Sequence, residues 1–449
     1  MLPLMFSVLQ TILRAVFVWV MLCAFASAQQ AMMFRGDAAH LGQYRTVPPA
    51  GIEHVLWSFQ TGGRVFSSPV VANGTVFVGS DDHFLHAIDA ATGAERWKFA
   101  TGGNIRSTPA VGDGRVYFLS LDGDLYAVDA ATGKQDWKFA TEGESRLTMR
   151  GLYGLEPALE PIPDPWDFLL SSPTVANGRI YFGSGDHHIY ALDARTGRLE
   201  WKFEAGDVVH SSPALDNGVV YVGCWNGVLY ALDAETGRLR WEFATGTDKT
   251  HFMQGIPGSP AVADGIVVFG SRDGYIYGLD AGTGEKLWRQ GNHGSWVIAS
   301  PSIRDDAVYV TTSDSMVFRV LALKSGKPLW ELPYLAYSFS SPAISGGHAY
   351  FGTFDGRVYD VNLAARRYAG SFQVQAARDH RNLLKPDGHL NTAVIYGPLG
   401  PDGQPNNTLE TIVVSVNRLL KLGAVLASPA VANGVAYVSS TDGFVYALN

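Results

Sequence analysis

One short motif recurs eight times along the chain and constrains its fold more than any other feature. A proline preceded by Ser, or by Thr in the second copy, occurs at Pro69, Pro109, Pro173, Pro213, Pro260, Pro301, Pro342 and Pro429. Four of the seven intervals between these prolines are 40 or 41 residues long, and the other three are longer. The pattern therefore indicates eight units of about 40 residues, with insertions in three places.

Each unit has the pattern of a small antiparallel sheet. In the third unit, turn residues at 177–178, 186–187 and 193–197 separate four short stretches rich in apolar and aromatic residues. No stretch of convincing length shows helical periodicity. A four-stranded sheet of this size cannot bury both faces alone, so neighbouring units must stack. The predicted fold class is all-β, an eight-bladed β-propeller of four-stranded antiparallel blades.

A tryptophan occupies the same position near the end of most units. The pattern Ala-x-Asp-x-x-Thr-Gly-x-x-x-Trp is complete at 87–97, 127–137, 191–201 and 231–241. We expect these large side chains to pack between neighbouring blades. The predicted blade-docking residues are Trp57, Trp97, Trp137, Trp201, Trp241, Trp288 and Trp330.

The two ends of the repeat array predict closure of the ring. The eighth unit stops at Asn449, where its tryptophan strand should begin, while Trp57 precedes the first unit without the strands that should come before it. We expect the N-terminal strand to complete the last blade, because closure removes the exposed sheet edges of an open array. Residues 55–449 are then a single propeller.

The insertions lie near 142–170, 246–257 and 372–426, each between the last strand of one blade and the first strand of the next. In an up-and-down blade these connections share one face with the turns between the second and third strands. Loops on a rigid scaffold are where binding usually resides. This face is therefore the predicted functional face.

Residues 1–28 have the pattern of a signal peptide. Arg14 is their only charge, an apolar stretch follows it, and Ala26-Ser27-Ala28 resembles a cleavage site. Residues 29–54 form an N-terminal extension, and no segment of the mature chain is apolar enough to span a membrane. We expect an exported protein that is periplasmic, associated with the cell envelope or released from the cell.

Charge excludes one class of partner. The 34 Lys and Arg residues against 42 Asp and Glu residues give a formal net charge of −8. A general nucleic-acid binder needs a basic surface, so no nucleic-acid partner is expected. We expect a monomer.

The repeats resemble the tryptophan-docking repeats of pyrroloquinoline-quinone (PQQ)-type propellers, and Met33 to Asp37 with Gly42 is similar to the segment that opens many exported propellers of this group. Members of this family divide into PQQ-dependent dehydrogenases and cofactor-free propellers, including BamB-like subunits of the outer-membrane β-barrel assembly machinery. The resemblance therefore implies the fold but leaves the function open.

The dehydrogenase alternative requires a quinone at the ring centre, a Ca²⁺ ion with oxygen ligands and a carboxylate base. Enzymes of this class commonly place a disulfide of adjacent cysteines over the quinone, and Cys224 is the only cysteine outside the signal peptide. No Cys-x-x-Cys-His motif for covalent haem occurs either. No cofactor is expected, with PQQ and calcium as the alternative.

No set of residues has a spacing typical of a catalytic or metal site, so no catalytic or metal-binding residue is predicted. Arg106 and His210 each directly precede a Ser-Pro or Thr-Pro strand, close to the central channel. With Trp225, His251 and Trp296 they are candidates for a funnel that accepts a small anion or a peptide loop. The alternative is ordinary packing of loops.

The function that these observations favour is an exported, non-catalytic scaffold. It would bind a protein, or a cell-envelope polymer, through the inserted loops, in envelope or outer-membrane protein assembly. The alternatives are a PQQ-dependent, calcium-assisted alcohol or sugar dehydrogenase and a sensor propeller separated from its membrane domain.

Overall fold

The computed structural model describes residues 32–149, 162–246, 254–397 and 409–449. Eight four-stranded antiparallel sheets form the eight blades of the predicted propeller. The predicted signal peptide lies outside the described residues. Each blade is named here by its number, and its strands are a to d from the channel outward.

The strands a to d of blades 1 to 4 are Val70–Ala72, Thr75–Gly79, Phe84–Asp89 and Glu95–Ala100; Ala110–Gly112, Arg115–Leu119, Asp124–Asp129 and Gln135–Ala140; Thr174–Ala176, Arg179–Gly183, His188–Asp193 and Leu199–Glu204; and Ala214–Asp216, Val219–Gly223, Val228–Asp233 and Leu239–Ala244. Those of blades 5 to 8 are Ala261–Ala263, Ile266–Gly270, Tyr275–Asp280 and Lys286–Gly291; Ser302–Arg304, Ala307–Thr311, Val317–Ala322 and Pro328–Pro333; Ala343–Ser345, His348–Gly352, Arg357–Asn362 and Arg367–Gln373; and Ala430–Ala432, Val435–Ser439, Phe444–Leu448 and Val55–Gln60.

Closure of the ring by the N-terminal strand is confirmed. Val55–Gln60 pairs antiparallel with Phe444–Leu448 and forms strand d of blade 8. In this register Trp57 lies opposite Ala447 and Phe59 lies opposite Val445. One blade therefore joins both ends of the repeat array.

The core lies between consecutive blades. Phe182 and Leu192 of blade 3, for example, share a buried cluster with Leu119 and Leu125 of blade 2. Small sheets bury their faces in this way against the blade before and the blade after.

Tryptophans of strand d pack against a glycine of the next blade at six of the eight interfaces. The Trp201 indole N–H donates to the carbonyl of Ala234 in blade 4 at 3.1 Å, and its ring lies against Gly237 of the same turn. A Cβ at Gly237 would come within 2.7 Å of that ring. The same donation to the next blade is made by Trp57, Trp97, Trp241 and Trp288. The Thr-Gly of one blade is thus the receptor for the Trp of the preceding blade.

The two faces of the ring differ. One face, here called the insertion face, carries the connections between blades and the turns between strands b and c. Exit loops contact these turns directly, since the backbone N–H of Gly62 donates to Asp82 and that of Gly102 donates to Asp122. The opposite face carries the a–b and c–d turns.

The N-terminal extension crosses the channel on the opposite face, a role that sequence reasoning did not foresee. Backbone hydrogen bonds or bridges connect residues 32–47 to strand a or the a–b turn of blades 2, 4, 5, 6, 7 and 8. At the centre, the fully buried Arg35 guanidinium donates to the carbonyls of Pro342 and Pro301 at 2.8 and 3.1 Å. Burial lowers the pKa of Arg35 to about 10, so it remains a cation at neutral pH.

Helices occur in the third insertion, where none was expected. They are α1 (Gln375–Asp379), a 3₁₀ turn at Arg381–Leu383, α2 (Thr392–Tyr396) and α3 (Leu409–Leu420). In α3 the apolar Ile412, Val416, Leu419 and Leu420 are buried together, which is helical periodicity within a twelve-residue stretch. Across the described residues, no helix has the length and apolar character needed to cross a membrane.

The tryptophan receptor can be tested with two glycines of blade 4. Both Gly237 and Gly218 have positive φ, at 70° and 75°, but a Cβ at Gly218 would meet nothing within 4 Å. We expect Gly218→Ala to cost about 1 kcal/mol from backbone strain alone. Gly237→Ala should cost about 1–3 kcal/mol more, because the methyl group overlaps Trp201. Urea unfolding of both variants measures the difference, and equal losses would contradict the docking role of Trp201.

Candidate functional site

The wall of the central channel is a ring of hydroxyl groups. The residues before the eight prolines line it, and seven backbone N–H groups donate to the hydroxyl of the next blade at 2.8–3.2 Å. The donor residues are Ser68, Thr108, Ser172, Ser212, Ser259, Ser300 and Ser428. The cavity inside this ring measures about 30 Å³, which is room for about one or two water molecules.

Aromatic side chains fill the mouth of the channel on the insertion face. Trp166 and Phe168 come from the first insertion and are buried. Phe168 stacks on Phe66 at 5.5 Å between ring centroids, and Trp166 meets the edges of Phe339 and Phe354 at 5.9 and 6.1 Å. These five rings are called the aromatic plug here. The chain itself thus occupies the position where a ligand would enter from this face.

A buried histidine between two carboxylates holds the plug loop in place. His210 Nδ1 lies 2.7 Å from Asp167, which sits between the two plug residues Trp166 and Phe168, and Nε2 lies 2.9 Å from Glu144. The three side chains are at most 3% exposed. Burial alone would lower the pKa of His210, but the two carboxylates outweigh it and raise the pKa to about 10.

The carboxylates are satisfied in turn. Burial would raise the pKa of Asp167, but the His210 charge and hydrogen bond lower it. The backbone N–H of Leu147 also donates to Asp167 at 2.9 Å, and that of Gly185 donates to Glu144 at 2.9 Å. Arg146 donates to the carbonyls of Asp164 and Asp167 within the same loop. The cluster is therefore built to fix a loop in position.

A second buried ion pair anchors the same loop to blade 5. Arg272 donates to Asp164 at 2.6 Å, and both side chains are fully buried. The guanidinium lies over the Trp225 ring at 4.9 Å and over the Trp296 ring at 4.1 Å. Two indole faces and one carboxylate stabilise this cation without solvent. Sequence reasoning missed both Arg272 and Asp164, because they are 108 residues apart and belong to no repeat motif.

Four of the five predicted funnel residues lie around this mouth. His210 contacts the plug loop, while Trp225 and Trp296 enclose Arg272. Arg106 pairs with Asp81 through two 2.8 Å hydrogen bonds and lies 4.5 Å over the Phe66 ring. The fifth, His251, lies outside the described residues. Their contacts are with the chain itself, and binding of an anion or a peptide by this set stays a prediction.

The channel residues do not fit a quinone cofactor. Pockets for ligands of that size measure roughly 300–1,000 Å³, against about 30 Å³ here. No group of three or more His, Cys, Asp or Glu side chains within the described ranges could hold a metal ion. Cys224 is buried and free, and burial raises the pKa of its thiol to about 12. The hydroxyl ring and the aromatic plug thus fill the space that a quinone would need, and the expected absence of a cofactor stays a prediction.

A larger groove lies beside the plug. It has a volume of about 560 Å³ and runs between α3, the prolines Pro163 and Pro165 and the plug residues Phe66 and Phe168. Three arginines line it, namely Arg64, Arg106 and Arg146. Of these, sequence reasoning singled out only Arg106, and the apolar spacing within α3 was the signal that could have located the helical wall.

The His210 cluster predicts a pH dependence of stability. Because its pKa is raised, protonated His210 stabilises the fold fully below about pH 6.5, the value of a free imidazole, and this contribution falls as the pH rises to about 10. In His210→Gln the buried carboxylates lose their cation, at a cost of about 3–5 kcal/mol. The stability difference between wild type and variant should therefore shrink between pH 7 and pH 10.

Urea unfolding at several pH values measures that difference. His54→Gln is the control, because His54 is exposed. The stability of this variant should equal that of the wild type at every pH. A difference that stays constant or grows from pH 7 to pH 10 would contradict a protonated His210.

The sequence matches one family over most of its length. The profile of the family described as "Outer membrane protein assembly factor BamB" matches residues 52–160, 164–259 and 249–383. No curated protein matches the chain significantly.

Solved structures of similar fold include both a BamB protein and dehydrogenases. BamB from Moraxella catarrhalis is 18% identical, over 88% of this chain and 96% of its own, with a TM-score of 0.60. Quinohemoprotein alcohol dehydrogenase from Comamonas testosteroni is 16% identical, over 92% and 79%, with a TM-score of 0.63. A europium-containing methanol dehydrogenase is 15% identical, over 93% and 98%, with a TM-score of 0.64.

At these identities the structural similarity concerns the fold alone, and it does not separate scaffold from enzyme. The family profile covers much more than half of the chain, in three segments that span seven of the eight blades. The protein therefore belongs to the family of PQQ-type propeller repeats described as outer membrane protein assembly factor BamB.

Proposed function

We propose that this protein is an exported, non-catalytic propeller scaffold that binds a partner protein of the cell envelope through its insertion face. The observation that carries the proposal is the filled channel. Buried ion pairs hold the plug loop over the channel mouth, so side chains of the protein itself fill the entrance to the central cavity. Recognition is then left to the surface of the inserted loops.

The family description agrees with this proposal, since it names an outer-membrane protein assembly factor. We extend that description to this chain as an expectation about its partner class. A propeller used as a scaffold needs a rigid surface rather than a reactive centre, and the plug and its anchors supply rigidity at the insertion face.

A quinone-dependent dehydrogenase is the competing function, because the solved structures of similar fold include dehydrogenases. The chemistry of PQQ would require a slot that accepts the quinone and oxygen ligands for calcium. In this chain Trp166 and Phe168 would have to leave the mouth, which would break the His210 and Arg272 ion pairs with their loop. The free-energy cost of breaking these ion pairs favours the scaffold function over the dehydrogenase.

Site-specific photo-crosslinking in intact cells tests the proposed binding face. A photo-crosslinking amino acid is placed at Glu142 or Lys385 in the insertions, or at Arg195 or Glu235 in c–d turns of the opposite face; all four positions are exposed. We expect a protein adduct from at least one insertion-face position and none from the opposite face. Gel mobility and mass spectrometry identify the adduct.

The opposite pattern of crosslinks, or no adduct from either face, would overturn the proposal. An adduct that resists protease would indicate that the partner is a cell-envelope polymer and not a protein. Melting curves of the four labelled proteins should coincide with that of the unlabelled protein, which shows that the label leaves the fold intact.

Cofactor loading tests the competing function. The purified protein is incubated with PQQ and Ca²⁺, passed through a desalting column, and examined by absorbance and by a dye-linked dehydrogenase assay. We expect less than about one-tenth of a quinone per chain, because the mouth is closed by packed aromatic rings. Uptake of one quinone per chain together with turnover would establish the dehydrogenase instead.

A further inference from the structure

The groove between α3 and the plug loop has the dimensions of a binding site and lies beside the proposed binding face. Its volume of about 560 Å³ is within the range of ligand sites in proteins, roughly 300–1,000 Å³. It is distinct from the channel cavity, which holds only about 30 Å³. The aromatic plug separates the two, with Phe66 and Phe168 lining the groove.

One wall of the groove is an apolar surface exposed to solvent. Ile412 and Val416 are buried in the core, but Val414 on the same helix is 49% exposed in the groove. Pro163 and Pro165 form the facing wall. Prolines have no backbone N–H, so this wall presents rigid hydrocarbon to an incoming side chain.

The charge of the groove is opposite to that of the protein. Arg64, Arg106 and Arg146 line it, and in the described part of the chain only Arg106 has a carboxylate partner within ion-pair distance, Asp81. Arg64 donates to the neutral amide of Asn417 at 3.2 Å, and Arg146 donates to backbone carbonyls. A local excess of cations on a chain with a net charge of −8 favours an anionic ligand.

Partial burial of Arg64 strengthens the preference of the groove for an anionic ligand. Arg64 loses part of its hydration in the groove, and this burial lowers the pKa of its guanidinium. A carboxylate placed beside a partly desolvated arginine forms a stronger hydrogen bond than one placed at an exposed arginine.

We propose that this groove binds an extended segment of a partner protein in which acidic side chains alternate with large apolar ones. Carboxylates of the segment pair with Arg64 and Arg146, and its apolar side chains pack on Val414 and the prolines. The inference rests on the proposed function, since it names the kind of segment that the insertion face recognises. A protein segment fits better than a small amphiphile because the groove presents three arginines together with apolar residues from two separate elements, the prolines of the plug loop and α3.

The test uses a ten-residue fluorescein-labelled peptide in which Leu and Phe alternate with Asp and Glu. Fluorescence anisotropy with the full chain measures its Kd. We expect saturable binding, and both Arg64→Glu and Val414→Asp should raise the Kd by about tenfold or more. A peptide with Lys at every acidic position, and one with Ser at every apolar position, should bind at least about tenfold more weakly.

Matched substitutions outside the groove are the controls. Arg198 is 73% exposed on a c–d hairpin, and Val47 is 70% exposed on the opposite face. Arg198→Glu and Val47→Asp make the same chemical changes there and should leave the Kd within about twofold. Thermal unfolding of all four variants shows whether each one folds, and only folded variants enter the comparison.

Four results would overturn the inference. The first is equal binding of the lysine peptide, and the second is an unchanged Kd for both groove variants. The third is that sodium dodecanoate displaces the peptide while binding more tightly, which would assign the groove to a carboxylate amphiphile. Self-association that Val414→Asp abolishes would assign it to a second copy of this chain and would equally overturn the inference.

The two proposals fail separately. If the groove variants keep the crosslinks from Glu142 or Lys385 but the peptide does not bind, the groove assignment is wrong and the scaffold stands. If the peptide binds at the groove but no crosslink forms on the insertion face in cells, the scaffold function is wrong for this surface.

Discussion

Hydrogen bonds between consecutive inner strands set the geometry of the whole ring. Each links the backbone N–H before a proline to the Ser or Thr hydroxyl of the next blade, and seven of them measure 2.8–3.2 Å. A short hydroxyl side chain spans the gap between inner strands of neighbouring blades, while the proline restricts the preceding residue to extended backbone. The carbonyls of Pro301 and Pro342 accept hydrogen bonds from Arg35. The Ser-Pro motif therefore recurs in the sequence because each copy supplies a hydrogen bond between the inner strands of neighbouring blades.

At the outer edge of the ring, the packing of tryptophans on the next blade is a second constraint. It explains why so much of the fold could be predicted from the sequence. Trp201 packs on Gly237 of the next blade, and its N–H binds the neighbouring Ala234 carbonyl. Such a contact requires Trp and Thr-Gly at a fixed spacing in successive units, so it leaves a periodic pattern. The blade number could be inferred from the Ser-Pro motif and the closure by Val55–Gln60 from the tryptophan pattern, because both motifs make interactions that recur in most blades.

The parts that sequence reasoning missed are those that occur once. Asp164 and Arg272 form an ion pair although they are 108 residues apart in the sequence, and no local sequence pattern predicts this contact. His210 was singled out for its place before a Ser-Pro strand, yet its partners Asp167 and Glu144 lie in an insertion that follows no repeat. Helix α3 was overlooked because its apolar spacing lies within a long insertion of a chain otherwise made of strands. Long-range contacts of this kind depend on how an insertion folds back on the ring.

The plug and the groove are coupled through shared residues. Arg106 lies over Phe66 of the plug and also lines the groove, and Arg146 holds the carbonyls of Asp164 and Asp167 while its guanidinium contributes to the groove charge. Any movement of Trp166 and Phe168 out of the mouth would therefore displace groove residues as well. A filled channel mouth and a cationic groove are one arrangement, because the contacts that hold the aromatic plug in the mouth also position the arginines beside it.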